Sequence, residues 1–281
     1  MPESATVLGS TGMVGTDLLE LLKVAGTPVT TVNRSSNPVE LSVDSLAHLL
    51  ESSAVVYNCL AYTDVDAAEG NEIEATEVNG HFVGRLAAAC KKTGSHLFHI
   101  STDYVFEGQS AAPYSVKDNP NPQTAYGRSK LVGERALIDS AGDFTIFRTA
   151  WLYGASGSNF AKTIAKRLEL GEPVSVVADQ AGSPTWTKDL AQLLASYSGL
   201  THAPEIVHAS SSGSCSWFEF AQQIALDMGL DPDQAVVPAS SYESNHLVKR
   251  PRYSVLDNSE GPLEPIGDWR SRWLASRLSI N

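Results

Sequence analysis

This chain of 281 residues contains few cysteines and no long apolar run. Its three cysteines, Cys59, Cys90 and Cys215, follow no metal-ligand spacing, and their odd number gives no disulfide framework. We expect them to be reduced and structural. Neither a signal-peptide pattern nor an apolar stretch of membrane-spanning length is present, so secretion and a membrane partner are unsupported. A cytoplasmic location is expected.

Positive charge is also scarce. The 20 Lys and Arg residues face 32 Asp and Glu residues, which gives a formal net charge of −12 at pH 7. Because non-specific nucleic-acid binding requires a basic surface, we expect no nucleic-acid partner, and local cations must hold any anionic ligand. Hydrophobic residues make up 42% of the chain, which is enough for one large domain or for one domain plus a lobe. We favour a domain plus a lobe.

What the sequence does contain is an alternation of short β-prone segments and helical stretches. The predicted strands are 6–8, 29–32, 54–59, 96–100, 144–147, 174–177 and 206–208. This order predicts an α/β fold with a doubly wound parallel sheet of the Rossmann type and a smaller C-terminal substrate-binding lobe. We expect residues 1–155 to form the dinucleotide-binding domain, residues from about 174–210 to return to it, and residues 156–281 to form mainly the lobe.

A glycine-rich turn separates the first predicted strand from the first predicted helix. Gly9 allows the turn, Gly12 lets the backbone approach a pyrophosphate, and Gly15 lets the helix pack closely on the strand. At this place in an alternating chain, the pattern predicts a dinucleotide cofactor. The expected contacts are Gly9, Thr11, Gly12, Met13, Val14 and Gly15.

The end of the second predicted strand bears on cofactor choice. An NAD-specific site normally places an acid there, on the ribose 2′-hydroxyl, but this chain has Asn33, Arg34 and Ser35. Asn33 leaves the 2′ position uncharged, and Arg34 and Ser35 could bind a 2′-phosphate. We therefore predict NADPH, with NADH as the alternative hydride donor. The competing interpretation is that Arg34 is an ordinary solvated loop residue.

Tyr126 and Lys130 lie four residues apart in a predicted helix over 126–140, so they share one face. A neighbouring cation and a helix N-terminus both stabilise a phenolate, and lowering the pKa of a phenol by ~3 units from about 10 requires ~4 kcal/mol. Such a tyrosine could exchange protons near neutral pH. Alone, this spacing fits a solvated helix, and the glycine turn favours the catalytic interpretation.

Six ordered blocks carry a family resemblance. They are 58–69 (NCLAYTDVDAAE), 101–106 (STDYVF), 126–134 (YGRSKLVGE), 148–154 (RTAWLYG), 179–185 (DQAGSPT) and 250–254 (RPRYS). Together they resemble the extended short-chain dehydrogenase/reductase superfamily and, within it, the dTDP-4-dehydrorhamnose reductases. The second and fifth blocks favour that family over the sugar epimerases.

The resemblance implies a reaction in the biosynthesis of dTDP-rhamnose, a carbohydrate precursor of cell-wall polysaccharide. The C4 ketone of dTDP-4-dehydro-6-deoxy-L-mannose would be reduced with NAD(P)H to dTDP-L-rhamnose. Ketone reduction requires a proton, a hydrogen bond to the carbonyl and a rigidly placed nicotinamide. The resemblance implies that Tyr126 gives the proton and that the Thr102 hydroxyl polarises the carbonyl. It also implies that Lys130 holds the nicotinamide ribose and lowers the pKa of Tyr126. A monomer or weak homodimer is expected.

Other residues have two interpretations. Thr102 and Asn79 would be turn or cap residues from position alone, whereas the resemblance places Asn79 near the site. Trp151 would stack on the sugar or base, or pack in the core, and Arg250, beside Arg252, would bind phosphate or face solvent. The resemblance adds cofactor contacts at Leu60, Ala61, Tyr62, Asn79, Tyr126 and Lys130, and substrate contacts at Thr63, Val65, Asp103, Trp151, Asn159, Arg250 and Ser254.

The chain also departs from the family pattern. Leu60 replaces the usual alanine, and the segment 37–44 is short for a loop that carries a third strand. Some relatives bridge a dimer with a divalent ion, but Asp17 and Lys188 occupy the corresponding positions, so we predict no metal. Two other functions stay open: a non-catalytic NADP-binding regulatory subunit, similar to the β subunit of methionine adenosyltransferase, and a reductase or epimerase of another nucleotide sugar.

Overall fold

The computed structural model describes residues 1–200, 202–241 and 248–277. In chain order the elements are β1 (Ala5–Leu8), α1 (Met13–Val24), β2 (Val29–Val32), α2 (Val43–Leu50), β3 (Val55–Asn58), α3 (Val65–Gly70), α4 (Glu72–Thr76), α5 (Phe82–Thr93), β4 (His96–Thr102), α6 (Ala125–Ser140), β5 (Phe144–Thr149), β6 (Leu152–Tyr153), α7 (Phe160–Glu169), β7 (Val174–Val177), β8 (Ala181–Gly182), β9 (Thr185–Trp186), α8 (Thr187–Tyr197), β10 (Ile206–His208), β11 (Cys215–Ser216), α9 (Trp217–Asp227), α10 (Pro232–Ala235), β12 (Val236–Ala239) and α11 (Trp269–Ser276). None of the described helices is long and apolar enough to cross a membrane.

Six strands form a parallel sheet in the order β10-β5-β4-β3-β1-β2. Strand β1 pairs with β2 on one side and with β3 on the other, so the direction of sheet growth reverses between β1 and β3. In sheets of this kind, ligands bind beyond the carboxyl ends of the strands at that reversal. The prediction of a doubly wound parallel sheet with a smaller lobe is confirmed.

The sheet forms because its inner strands β1 and β3 are buried on both faces and the helices offer apolar stripes to cover them. Strands β1 and β3 are buried along their whole length. Leu18 and Leu22 of α1 pack on one face together with α8, and Phe82 and Leu86 of α5 pack on the other face together with α2. Each of these four side chains is fully buried, which contributes roughly 1.5–3 kcal/mol per residue.

Two segments outside the sheet bear on the sequence analysis. Residues 37–44, noted there as short for a loop that carries a third strand, contain a 3₁₀ turn, Pro38–Glu40, and the start of α2, so β2 forms that edge of the sheet. The segment Val174–Val177, predicted among the alternating strands, pairs with β12 outside the six-stranded sheet. Its buried valines face the core of the lobe instead.

The smaller lobe has its own apolar core. Helices α7, α9 and α11 pack around β7 and β12, with Phe220, Trp269 and Trp273 at the centre. Helix α9 begins with a capping box between Ser216 and Glu219. By contrast, α8 and β10 pack with the six-stranded sheet. The division near residue 155 stays a prediction, and residues 201, 242–247 and 278–281 of the predicted lobe lie outside the described residues.

Candidate active site

A cavity of about 670 Å³ lies beyond the carboxyl ends of β3, β4 and β5 and next to the start of α1. The predicted site residues that line it are Gly12, Met13, Val14, Leu60, Ala61, Thr63, Val65, Thr102, Asp103, Tyr126, Lys130, Trp151, Asn159 and Arg250. Those outside its lining are Gly9, Thr11, Gly15, Asn33, Arg34, Ser35, Tyr62, Asn79 and Ser254. The fold therefore brings most of the predicted residues to one place.

The glycine turn has the close approaches that the sequence predicts. Gly9 has a positive φ of 76°, and a Cβ there would lie 2.8 Å from the backbone of Cys59. A Cβ on Gly15 would lie 2.2 Å from the carbonyl oxygen of Gly9, so α1 could not pack this closely with any other residue. Helix α1 begins at Met13 beside the cavity, and the N–H groups of a helix start favour an anion. This cradle fits a dinucleotide pyrophosphate.

The predicted 2′-phosphate residues lie at one side of the turn. Ser10 donates a hydrogen bond to Asn33 Oδ1 at 2.7 Å, which links the turn to the end of β2. Arg34 and Ser35 are exposed, and Arg34 lines a separate cavity of about 660 Å³ together with Arg85 and Glu77. Their role in cofactor choice stays a prediction.

Helix α6 presents Tyr126 in its first turn, which Thr124 caps by accepting a hydrogen bond from Gly127 N. Lys130 is buried one turn later and donates to the carbonyl oxygen of Ile100 at 2.6 Å. Burial raises the pKa of Tyr126, and the Thr102 hydroxyl opposes only part of this rise. The expected lowering of the tyrosine pKa is therefore wrong for this structure, because burial outweighs any effect of the lysine.

Thr102 serves both interpretations offered by the sequence. Its hydroxyl accepts a hydrogen bond from Tyr104 N at 3.2 Å, which caps the 3₁₀ turn Asp103–Val105, and it also lines the cavity. The same hydroxyl donates to Asp103 Oδ1 at 3.1 Å. Burial raises the pKa of Asp103 to about 6, and hydrogen bonds from Ser254 and Thr102 oppose that rise.

Asn79 does not cap a helix. It lies in a π-helical turn, Glu77–His81, that continues directly into α5, so its side chain meets no free helix start. Instead it accepts a hydrogen bond from Tyr62 N at 2.9 Å and donates to Tyr62 O at 3.0 Å and to Ser129 Oγ at 2.9 Å. Asn79 thereby ties the loop after β3 to α6 and supports the site from behind.

The opposite wall of the cavity contains a pair of stacked indoles. Trp151 has a positive φ of 47°, which is strained for a bulky residue. Trp217, which the sequence reasoning missed, stacks on it with ring centroids 3.5 Å apart, and a Cβ on Gly182 would lie 2.3 Å from the Trp151 ring. The available signal was a tryptophan at the first position of a capped helix. These contacts hold the Trp151 indole in place.

Arg250 joins this cavity to a second one of about 560 Å³, which Arg252 also lines. Its Nη2 donates to Asp66 Oδ2 at 3.0 Å, and its Nε is buried without a hydrogen-bond partner among the described residues.

Two other predicted substrate residues have structural contacts of their own. Asn159 caps α7 by accepting from Lys162 N at 3.2 Å. Ser254 is buried beside the site.

A buried ion pair fixes α6 to the sheet. Arg148 on β5 donates to both oxygens of Glu134 on α6, at 3.0 and 2.7 Å, and Ser101 on β4 donates to the same carboxylate at 2.5 Å. Both charged side chains are almost fully buried. These three residues lie in the blocks 101–106, 126–134 and 148–154, but the sequence alone gave them no role.

No group of His, Cys, Asp or Glu side chains in the described ranges has an arrangement that could hold a metal ion. Asp17 accepts a hydrogen bond from Thr187 Oγ1 at 2.6 Å. The prediction that this protein uses no metal stays a prediction.

The reversal in strand order, the glycine cradle and the tyrosine and lysine at one cavity define a class. This is a dinucleotide-binding oxidoreductase. Residues 4–273 match the family model described as the RmlD substrate binding domain, and the chain belongs to that family.

Relatives agree with this assignment. The chain is 39% identical over 277 residues to a dTDP-4-keto-6-deoxy-D-glucose reductase of Streptomyces niveus, covering 96% of this chain and 94% of that protein. It is 41% identical over 276 residues to a dTDP-4-dehydrorhamnose reductase of Streptomyces griseus, covering 94% and 90%. A crystal structure of dTDP-4-dehydrorhamnose reductase from Bacillus anthracis in complex with NADP superposes with a TM-score of 0.93 at 30% identity, covering 99% of both chains.

Proposed function

We propose that this protein uses NADPH to reduce dTDP-4-dehydro-6-deoxy-L-mannose at C4 and forms dTDP-L-rhamnose. The observation that carries the proposal is that Thr102, Tyr126 and Lys130 meet the glycine cradle at one cavity. Family membership supports the coarser activity, an NAD(P)H-dependent 4-ketoreductase of dTDP-sugars. The rhamnose product is the finer part of the proposal.

Each residue has a definite task in this reaction. The cofactor supplies the hydride when bound. Thr102 Oγ1 gives up its hydrogen bond to Asp103 and donates to the ketone oxygen instead, and Tyr126 Oη gives its proton to the developing alkoxide. A raised pKa keeps Tyr126 protonated at neutral pH, as a proton donor for reduction must be. Lys130 binds the nicotinamide ribose.

The assignment of NADPH has two supports. The Bacillus anthracis relative holds NADP, and no acid follows β2 at the position that selects NAD. Arg34 and Ser35 then receive the 2′-phosphate. Comparison of kcat/KM with NADPH and NADH tests this assignment, and a clear preference for NADH would contradict it.

On the substrate side, Arg250 has a buried Nε that a phosphate oxygen can satisfy, and the exposed Arg252 lines the adjoining cavity. Trp151 forms the apolar wall for the deoxy sugar. Thr63, Val65, Asp103, Asn159 and Ser254 complete the proposed substrate set.

A second candidate is reduction of a different dTDP-4-keto-6-deoxy sugar, which the Streptomyces niveus relative favours. NADPH oxidation by the purified protein with a panel of dTDP-4-keto sugars distinguishes the two. Highest kcat/KM with the L-mannose-configured ketone supports the rhamnose product. Highest kcat/KM with another 4-keto sugar supports the second candidate, and oxidation with none of them contradicts both.

A further inference from the structure

Behind the candidate active site, a chain of buried hydrogen bonds ends at Lys130, and the proposed reaction gives its other members, Asn58 and His99, no role. Asn58, His99 and Lys130 are each at most 1% exposed. Leu60 N donates to Asn58 Oδ1 at 3.2 Å, and Asn58 Nδ2 lies 3.0 Å from His99 Nδ1. His99 Nε2 lies 3.1 Å from Lys130 Nζ, which also donates to the carbonyl oxygen of Ile100 at 2.6 Å. The chain thus joins the loop after β3 to the lysine.

The first hydrogen bond fixes the direction of the others. A backbone N–H can only donate, so Asn58 presents its carbonyl oxygen to Leu60 and its amide N–H to His99. His99 Nδ1 must then accept, and the proton of a neutral imidazole lies on Nε2. An ammonium has no lone pair to accept from this Nε2–H, whereas a neutral amine does. The chain is therefore complete only when Lys130 is neutral.

The electrostatic surroundings of Lys130 agree with this arrangement. The titratable groups that contact it, act on it or share its cavity are His99, Glu134, Cys59, Asp103, Tyr104, Tyr126 and Arg250. Glu134 raises the pKa of Lys130, but both of its oxygens are already bound by Arg148 and Ser101. Burial has the larger effect and lowers the pKa of Lys130 to about 8, so a substantial fraction of this lysine is neutral at pH 8. Burial also holds the pKa of His99 well below its usual value, so its imidazole is neutral.

We infer that His99, oriented by Asn58, is a positioning residue that favours the neutral amine of Lys130 in the free protein at pH 8 and above, so that cofactor binding there takes up a proton at this lysine. Ribose hydroxyl oxygens can accept from an ammonium, and the phosphates of a dinucleotide favour the positive charge. The inference rests on the proposed NADPH binding. It adds a proton-linkage role for His99 and Asn58.

Titration calorimetry with NADPH at pH 8 tests the inference on the full chain. Repeating the titration in two buffers of different ionisation enthalpy gives the number of protons taken up on binding. At pH 8 a phosphate monoester, with a pKa of about 6, is fully ionised. Burial raises the pKa of Asp103 only to about 6 and that of Cys59 to about 12, so neither carboxyl nor thiol titrates there. We expect net proton uptake by the wild type.

Two variants exchange hydrogen-bond donors and acceptors in this chain without a large change in side-chain volume. In His99→Gln the side-chain oxygen can accept from an ammonium, so Lys130 is charged before binding and the uptake at pH 8 falls. In Asn58→Asp a carboxylate accepts from His99 Nδ1–H, which turns Nε2 into an acceptor and again removes the uptake. His96→Gln is the matched control, because His96 lies on the same strand and contacts Thr145 instead. It should keep the wild-type uptake.

The outcomes separate the two proposals. Wild-type uptake that is smaller in His99→Gln and Asn58→Asp, but unchanged in His96→Gln, supports the inference. Binding of NADPH by the wild type without proton uptake overturns it, as does equal uptake in all four proteins. If the wild type does not bind NADPH at all, the proposed function fails instead. Circular dichroism establishes that each variant is folded, and if His99→Gln is not, Asn58→Asp alone decides.

Discussion

Replacing Glu134 by glutamine removes the charge that neutralises Arg148 inside the protein. The carboxylate accepts two hydrogen bonds from the guanidinium at 3.0 and 2.7 Å and one from Ser101 at 2.5 Å, and the two charged side chains are 1% and 2% exposed. Breaking a buried pair on one side leaves an uncompensated charge, which costs roughly 3–5 kcal/mol. Against a total free energy of unfolding of about 5–15 kcal/mol, this loss is large.

Glu72→Gln is a control with the same kind of ion pair, which here joins α4 to α6. Arg128 on α6 donates to both oxygens of Glu72 at 2.7 and 2.9 Å, so the geometry matches, but these side chains are 42% and 43% exposed. Solvent screens such a pair, and we expect its loss to cost about 0–1 kcal/mol. The difference between the two variants therefore reports mainly burial, with smaller contributions from Ser101 beside Glu134 and from Glu69, which lies 4.0 Å from Arg128.

Equilibrium unfolding in urea measures both variants, with equal m-values as the sign that the unfolded states are comparable. The double variant Glu134→Leu with Arg148→Met should recover most of the loss, because it leaves no unpaired charge in the interior. Equal costs for Glu134→Gln and Glu72→Gln would refute the reasoning. So would a double variant less stable than Glu134→Gln alone.

Three further predictions follow from the site. Tyr126→Phe should lower kcat by about 10²-fold or more with nearly unchanged NADPH affinity, and near-normal turnover would remove Tyr126 from the role of proton donor. Trp217→Ala should release Trp151, whose backbone strain is about 1–3 kcal/mol, from its present position. We expect KM for the sugar to rise by roughly tenfold, with a smaller effect on kcat. Steady-state kinetics in which kcat falls more than KM rises would contradict this. Because burial raises the pKa of Asp103 to about 6, the folded protein holds this proton at a higher pH than the unfolded chain does. Stability should therefore fall as pH rises from about 4 to 6. Thermal unfolding of Asp103→Asn should show a weaker decline over this range, and a decline equal to that of the wild type would count against the raised pKa.

Local sequence was sufficient wherever a feature depends on residues close together in the chain. The strand, turn and helix around Gly9, Gly12 and Gly15 follow from neighbouring backbone sterics, and the helix predicted over 126–140 is α6 within one residue. The segment 37–44, noted as short, has too few residues for a further strand before α2. Apolar periodicity therefore predicted the alternating fold and the edge where the site residues meet.

What only the tertiary structure decided are the contacts between residues far apart in sequence. The apolar strand at Val174–Val177 fits either sheet, and its partner β12 selects the lobe. Asn79 bonds to Tyr62 and Ser129 and not to its own helix, and Trp217 of the lobe stacks on Trp151, which lies 66 residues earlier in the chain. The spacing of Tyr126 and Lys130 placed both on one face of α6, but burial set their pKa values, and His99 and Ile100 on β4 fixed the direction of the lysine. Periodicity tells which side of a helix faces inward, whereas the groups it meets there depend on the packing of the whole chain.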